Sequence, residues 1–279
     1  MRKKCCKLFL FLIVTAFFVS IWTGGLVEKS YMARLNAEIF VSAGYREQNV
    51  GEEMLAVLKK AKNPGQMVGT YLLESKFGYK KPTYTLQTDD FPDLIKKWKK
   101  SKGWDAYIKT TESIWNDVKY FPIPEFPNQK GMGSSYVNSW MSERTYGGKR
   151  GHEGTDIMAE KNERGIYPIV SMTDGVVESK GWLEKGGYRI GIKSPSGVYF
   201  YYAHLASYAN VEKGQQIKAG DVIGFMGDSG YGPEGTVGQF AVHLHLGIYI
   251  YPDQKETSIN PYWVLRYIEN RKVKCYTEI

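Results

Sequence analysis

The chain has 279 residues, enough to bury a hydrophobic core in one large domain or two small ones. Apolar residues make up 43% and charged residues 24%, as in an ordinary globular protein, and the net charge is +8. Residues 1–27 and 28–120 each contribute +4 of that charge, so the chain is neutral from residue 121 onward. Because no basic face is predicted for the C-terminal half, the sequence indicates no nucleic-acid partner.

The N-terminal segment contains twenty consecutive uncharged residues, 8–27, preceded by four basic residues. As a helix this segment would be roughly 30 Å long, which matches the hydrocarbon core of a bilayer. The basic flank predicts that the N-terminus stays inside and that the rest of the chain lies outside. We expect residues 1–27 to form a single-pass membrane anchor, with a cleaved signal peptide as the alternative. In both cases the remaining chain is exported.

Residues 28–120 are predicted to form a helical spacer or packing module, because apolar side chains recur there at helical spacing. An Asn63-Pro64 pair is typical of an N-cap followed by proline in the first turn. The basic excess of this region suits an anionic envelope polymer or lipid surface, and equally a solvated helical face. The predicted helices cover residues 51–62, 63–72, 90–98 and 104–118.

One stretch of this region suggests a different chemistry. Residues 72–77, Leu-Leu-Glu-Ser-Lys-Phe, resemble the catalytic stretch of lytic transglycosylases, in which a single glutamate is the general acid. The Gly-Leu-Met-Gln run that follows in those enzymes is absent here. Since four matching residues are a weak motif, the sequence favours an exposed charge at Glu74 over a glycan-cleaving acid.

The composition changes after residues 121–128, a proline-rich linker that cannot continue a helix. Of the 30 glycines, 22 lie between Gly131 and Gly247, where short β-rich runs alternate with glycine turns. This pattern predicts a mainly β C-terminal domain over residues 129–279, an antiparallel sheet or sandwich with glycine-rich groove loops. Hairpins are predicted over residues 167–178, 188–204 and 216–225, and a closing helix after residue 261.

All four histidines of the chain lie in this C-terminal part. On a strand, His243 and His245 share one face, and in His152-x-x-x-Asp156 a histidine and a carboxylate can converge if the intervening glycine lets the chain turn. Two imidazoles and one carboxylate match a catalytic zinc site that leaves a position for water. The other two histidines, His204 among them, would then serve proton transfer and oxyanion stabilisation. Each motif alone is more often structural, but their joint occurrence favours a metal site.

Three motifs in this order, His152-x-Gly154-x-Asp156, Ala203-His204 and His243-Leu244-His245, resemble the lysostaphin-type, or LytM-like, zinc endopeptidases that cleave peptidoglycan cross-bridges. The resemblance covers residues 129–262 and holds for both the order and the intervals of the motifs. It implies that zinc is bound by His152, Asp156 and His245. It also implies that His204 and His243 orient the water and stabilise the tetrahedral oxyanion.

Tyr146 falls where some relatives have an assisting groove tyrosine, although a structural tyrosine fits equally well. The family often has Gly-Pro-His-Leu-His-Phe-Glu, whereas residues 241–247 are Ala-Val-His-Leu-His-Leu-Gly, and the loop 228–240 is long. These departures leave the cleaved bond open among glycine bridges, D,D cross-links and D,L stem bonds.

The N-terminal segment and the resemblance together predict an exported, membrane-anchored zinc metalloendopeptidase that hydrolyses peptide bonds of bacterial cell-wall peptidoglycan. The alternative is a non-catalytic cell-wall-binding or envelope scaffold protein that uses the same fold. Loss of metal ligands would distinguish the second possibility in the sequence, and none is lost here.

Overall fold

The computed structural model describes residues 9–23, 35–78 and 86–276. Helices occupy the first half of the chain and strands the second, with one helix closing the β part. The helices are α1 (residues 9–23), α2 (Glu38–Val41), α3 (Ala43–Glu47), α4 (Gly51–Leu58), α5 (Pro64–Glu74), α6 (Phe91–Trp98), α7 (Trp104–Asn116) and α8 (Tyr262–Ile268). The prediction of a helical region followed by a mainly β domain is confirmed.

The helical region is held together by α5 and α7. Asn63 caps α5, because its side chain accepts a hydrogen bond from the backbone N–H of Gln66 at 3.1 Å. The hydroxyl of Tyr107 in α7 donates to the carbonyl of Gly69 in α5 at 2.9 Å, and both Tyr107 and Trp115 are buried. Through these contacts, the apolar faces of α5 and α7 that the sequence predicts pack together into one continuous core.

The β part is an antiparallel sheet with strands of different lengths, and its central strands are β4, β11, β8 and β7. Along the sheet the order is β1-β4-β11-β8-β7-β6-β9, while β10 pairs with β5 and β8, and β12 pairs with β11. A separate hairpin is formed by β2 and β3. The strands are β1 (Ser134–Tyr136), β2 (Glu143–Arg144), β3 (Arg150–Gly151), β4 (Thr155–Ala159), β5 (Pro168–Val170), β6 (Gly175–Leu183), β7 (Gly187–Lys193), β8 (Tyr199–Tyr208), β9 (Gln216–Ile217), β10 (Val222–Met226), β11 (His243–Ile250) and β12 (Thr257–Ile259).

Only one of the three predicted hairpins forms, between β7 and β8. The predictions for residues 167–178 and 216–225 are wrong, because β5 pairs with β10, whereas β6 pairs with β7 and β9. Asp174 does mark a turn, but its carboxylate accepts hydrogen bonds from Lys119 at 2.6 Å and from the backbone of Ala219 at 2.9 Å. A local turn signal therefore shows where a strand begins and does not show which strand it pairs with.

The helical region packs against one end of the sheet. Arg46, in the last turn of α3, donates to the carbonyl of Ser258 in β12 at 3.0 Å and to its hydroxyl at 2.6 Å. The ring of Trp115 lies 5.8 Å from that of Tyr267 in α8. Phe121 of the proline-rich segment is also buried, and its backbone N–H donates to Arg271 at 2.8 Å. The two parts therefore share a hydrophobic core.

The predicted membrane anchor spans residues 8–27, of which residues 9–23 are described and helical. In the described ranges, no helix has both the length and the apolar character that a membrane span requires. The predicted transmembrane helix is thus unsupported there, and the rest of the predicted anchor lies outside the described residues.

Candidate active site

One face of the sheet carries the polar side chains, and the opposite face is the core. In β11, Leu244 and Leu246 are fully buried, while His243 and His245 project from the other face. Asp156 in β4 is directly opposite His245 in the strand register. The predicted sharing of one face by the two histidines is therefore present, and it brings a carboxylate beside them.

Three atoms converge at the end of this face. Oδ1 of Asp156 lies 3.0 Å from Nε2 of His152 and 2.9 Å from Nδ1 of His245. The two imidazole nitrogens are 3.0 Å apart. One donor atom from each of the three residues lies within 4.8 Å of the others, which is the spacing of ligands around a single ion.

Gly154 makes this convergence possible. A Cβ atom at this position would overlap the ring of His245, at Cε1 and at Nε2, and would also approach the carbonyl of Leu246 at 2.7 Å. Because glycine has no side chain, the turn between His152 and Asp156 can lie flat against the histidine ring of β11.

Two residues that the sequence analysis missed hold the ligand side chains. Nη2 of Arg144 donates to the outer carboxylate oxygen of Asp156, Oδ2, at 2.6 Å. Nδ1 of His152 lies 3.0 Å from the hydroxyl of Ser139 and 3.2 Å from its carbonyl, and the carbonyl can only accept a hydrogen bond. A proton on Nδ1 leaves the Nε2 lone pair of His152 free for a metal. Neither contact has a sequence signal, because both depend on how the segment before β4 folds back.

The protonation states suit metal binding. Burial by itself raises the pKa of the Asp156 carboxyl, but hydrogen bonds with His152 and His245 outweigh it and hold that pKa well below its usual range. Burial lowers the pKa of His245. At neutral pH the site therefore contains an ionised carboxylate and a neutral imidazole, the forms in which both groups bind metals.

His204 reaches the same face by a departure from strand geometry. Its backbone φ is +63°, a left-handed conformation that is rare for residues other than glycine. Its neighbour Ala203 pairs with His245, so regular alternation would turn His204 toward the core. Instead the imidazole lies with its ring centroid 4.8 Å from that of His243.

His204 and His243 are oriented in the same way. Nδ1 of His204 lies 2.7 Å from the carbonyl of Ser229, and Nδ1 of His243 lies 2.7 Å from that of Ala241. Both carbonyls accept the Nδ1 proton, so the neutral form of each imidazole has its lone pair on Nε2. Burial, reinforced by His243 and His245, lowers the pKa of His204 well below its usual value, so this ring is neutral. All five predicted side chains thus lie together.

The donor set fits zinc. Two imidazole nitrogens and one carboxylate oxygen form the ligand set of many catalytic zinc sites, and no cysteine lies among them. The convergence of three partly or fully buried donors on one point is what a resident ion requires. Calcium and magnesium, which prefer oxygen ligands, fit this set poorly.

The five side chains lie in a cleft of about 820 Å³. One wall is aromatic, with Tyr201 and Tyr249 from the central strands and Tyr231 and Phe240 from the long loop. The loop 228–240, which the sequence analysis singled out as long, therefore forms part of the cleft wall. Tyr146 stacks on Tyr231 in parallel at 4.1 Å, and its hydroxyl donates to Glu184 at 3.3 Å.

Glu74 lies at the end of α5, outside the residues that line this cleft. Its Oε1 accepts hydrogen bonds from the indole of Trp98 at 2.5 Å and from Lys97 at 2.8 Å. The contacts give Glu74 a structural role in the packing of α5 on α6.

Comparisons with known proteins match both parts of the chain. The model of the LytM N-terminal domain matches residues 30–117, and that of peptidase family M23 matches residues 150–261. An L-Ala--D-Glu endopeptidase of Bacillus subtilis is 47% identical over 142 residues, 50% of this chain and 42% of that protein. Glycyl-glycine endopeptidase ALE-1 of Staphylococcus capitis is 31% identical over 125 residues, 42% of this chain and 31% of that protein. The chain thus spans less than half the length of these curated relatives.

A solved structure matches nearly the whole described fold. It is that of a candidate glycyl-glycine endopeptidase lytM from Ruminococcus gnavus, with a TM-score of 0.81 and 56% sequence identity. The similarity covers 86% of this chain and 96% of the solved one, so it includes the helical region as well as the β part. The motif spacing, the fold and these matches together establish that the chain belongs to peptidase family M23.

Proposed function

We propose that this protein is a zinc-dependent endopeptidase that hydrolyses peptide bonds of bacterial peptidoglycan. The observation that carries the proposal is the convergence of a three-donor metal set with two further imidazoles at the bottom of one cleft. Both curated relatives are named as endopeptidases, which supports the same reaction class for this chain.

In this proposal His152, Asp156 and His245 hold the zinc ion through Nε2, Oδ1 and Nδ1. The ion, when bound, supplies a Lewis acid that polarises the scissile carbonyl and makes water acidic enough to ionise near neutral pH. Arg144 and Ser139 keep the ligands in position by occupying their outer atoms.

His204 and His243 carry the proton chemistry. In each ring Nδ1 bonds a backbone carbonyl, so Nε2 is the nitrogen left for the substrate and water. One ring accepts a proton from the water as the water oxygen bonds to the carbonyl carbon. The N–H formed in this way then donates a hydrogen bond to the negative oxygen or passes its proton on. When the C–N bond breaks, the leaving nitrogen takes that proton and departs as an amine, while the carbonyl side leaves as a carboxylic acid.

The two relatives point to different bonds. The Bacillus subtilis protein is named for an L-Ala–D-Glu bond and the Staphylococcus capitis protein for a glycyl-glycine bond. The first is more similar to this chain, at 47% against 31% identity. We therefore take the L-Ala–D-Glu bond as the substrate to test first, with the glycine bridge as its rival.

The decisive experiment is mass spectrometry of peptidoglycan treated with the purified, zinc-loaded protein. We expect released muropeptides whose new termini identify one cleaved peptide bond. Removal of zinc by a chelator should stop the release, and adding zinc back should restore it. If the zinc-loaded protein binds the wall and releases nothing, a non-catalytic envelope role is favoured.

A reaction on the cell wall takes place outside the cytoplasm, so we propose that the protein acts in the envelope or extracellularly. Anchoring through residues 8–27 is a finer proposal that rests on the uncharged run in the sequence alone. Fractionation of the cells of origin tests it: an anchored protein sediments with membranes after a high-salt wash, and a protein found only in the medium contradicts anchoring. We also propose residues 28–120 as a packing module and residues 129–279 as the peptidase domain.

A further inference from the structure

Arg189 lies in the same cleft as the candidate zinc site and has no role in the mechanism above. It belongs to β7, where Ile190 and Ile192 are fully buried in the core. Its side chain lines the cleft together with His245 and Tyr201. A substrate bound in the cleft is therefore expected to lie next to this arginine.

The Arg189 side chain is partly buried, and two of its three guanidinium nitrogens are buried without an acceptor. Its Nε and Nη1 atoms are buried, and neither has a hydrogen-bond partner among the residues that the structure describes. A cation whose N–H groups are withdrawn from water and unpaired costs free energy, because neither solvent nor a counter-ion compensates its charge. Such a group is expected to find its acceptor in something that the protein binds.

The acidic residues that line the cleft have other partners. Glu178 pairs with Lys193 at 2.9 Å, Glu153 with Arg46 at 2.6 Å, and Asp156 with Arg144 at 2.6 Å. Glu256 is exposed to solvent and accepts a hydrogen bond from Tyr251 at 3.4 Å. Among the described residues that line the cleft, none is therefore a direct counter-ion of Arg189.

There is also space beside Arg189. Gly181 of β6 is its cross-strand partner, and a Cβ atom built there would meet no other atom within 4 Å. Cross-strand partners project from the same face of a sheet, so the position next to the arginine is open. Tyr199 and Tyr201 border the cleft nearby, and burial raises the pKa of both hydroxyls; the hydroxyl of Tyr199 also forms a hydrogen bond with Ser179.

We propose that Arg189 is the subsite for a substrate carboxylate, and that it makes the enzyme select peptides with a free carboxylate close to the scissile bond. Arginine suits this task because its planar, permanently charged group forms strong, directional hydrogen bonds to carboxylates. A glycine bridge has no side-chain carboxylate, whereas a D-Glu residue does. The inference rests on the proposed function and specifies its substrate class as an anionic peptide.

The test compares two synthetic peptides that contain the L-Ala–D-Glu bond, one with a free glutamate carboxylate and one with that group amidated. We expect the wild-type enzyme to prefer the free acid in kcat/KM by about ten- to a hundredfold, as is typical of a charge-assisted hydrogen bond. Arg189→Gln should lose this preference by reacting more slowly with the acid and equally with the amide. Arg189→Lys should retain part of it.

A binding measurement makes the test independent of turnover. In the zinc-loaded His204→Ala background, the acid peptide should raise the melting temperature, and the amide should raise it less. Adding Arg189→Gln should abolish that difference. Lys109→Gln, which removes an equal charge from the exposed surface of α7, is the matched control and should change neither preference nor binding.

The outcomes separate the two proposals. If the wild type cuts no peptide bond in these peptides or in peptidoglycan, the proposed function fails, and the binding comparison still decides the role of Arg189. If the wild type cuts peptides but Arg189→Gln leaves the acid-to-amide ratio unchanged, only the carboxylate subsite is wrong. An equal loss on both peptides would likewise overturn it, by indicating a general structural role.

Discussion

Asp156 of β4 and His245 of β11 are direct cross-strand partners, and Oδ1 of the aspartate lies 2.9 Å from Nδ1 of the histidine. Their backbones belong to neighbouring strands in the middle of the sheet, so the ladder of hydrogen bonds sets the spacing of the two ligands. Only His152 comes from outside a strand, and its ring is fixed by Ser139. In a site built on rigid elements in this way, the fold itself sets the positions of the ligands.

The first prediction concerns the metal set. Replacing His152 or His245 by alanine removes one of three ligands, so we expect zinc to fall from near-stoichiometric to background. Elemental analysis of the purified variants measures this, and unchanged circular dichroism shows that the fold survives. A variant that keeps full zinc would remove that histidine from the ligand set.

The second prediction separates chemistry from metal binding. His204 lies beside His243 and is held by Ser229, but it is not one of the three converging donors. His204→Ala should therefore retain zinc and lose peptide hydrolysis by about a hundredfold to ten-thousandfold, the usual contribution of a general acid or base. Zinc content and kcat are measured on the same preparation, and turnover at the wild-type rate would contradict the assigned role.

The third prediction tests Arg144 as a positioning residue. Because it binds Oδ2 of Asp156 at 2.6 Å, it directs Oδ1 toward the metal. Arg144→Gln should weaken zinc binding by about ten- to a hundredfold, as loss of a hydrogen bond to a ligand typically does, and Arg144→Lys should restore part of the affinity. Competition with a zinc chelator measures the affinity.

Lys149→Gln is the control for this measurement. Lys149 lies in the turn between β2 and β3, is exposed, and pairs with Glu143 at 3.0 Å. The Lys149→Gln substitution removes an equal charge from the same hairpin at a residue that does not contact Asp156. The zinc affinity of this variant should match that of the wild type. Equal affinities in the Arg144 variants and this control would show that Arg144 does not position the ligand.

The fourth prediction concerns Glu74. Its carboxylate accepts hydrogen bonds from Trp98 and Lys97, so Glu74→Gln should lower the free energy of unfolding by about 1 kcal/mol. Wall hydrolysis should stay at the wild-type rate, because the residue lies outside the cleft. Denaturant unfolding and muropeptide release measure the two effects, and loss of activity in a folded variant would revive the glycan-cleaving hypothesis.

The helical region was largely predictable, because helices form from contacts close in sequence. The four predicted stretches correspond to α4 to α7, and Asn63 caps α5 as expected. Strand pairing was less predictable. The Asp174-Gly175 and Ala219-Gly220 signals suggested two hairpins that do not form. Instead, β5 pairs with β10, which begins about fifty residues later in the chain.

By itself, the sequence determined the chemical identity of the candidate site. Four histidines in three short motifs, with one aspartate at a suitable interval, predicted a zinc set and two helpers that do lie in one cleft. Their individual roles remain predictions. Alternation along β11 placed His243 and His245 on one face, because that property is local to a strand.

Only the tertiary structure decided what surrounds those side chains. His204 enters the cleft through a left-handed backbone conformation, although regular alternation would turn it inward. Arg144 and Arg189 join the cleft from β2 and β7, and no local pattern marks either as part of it. The physical reason is the same in each case: these positions follow from strand register and loop closure, which depend on contacts between residues far apart in sequence.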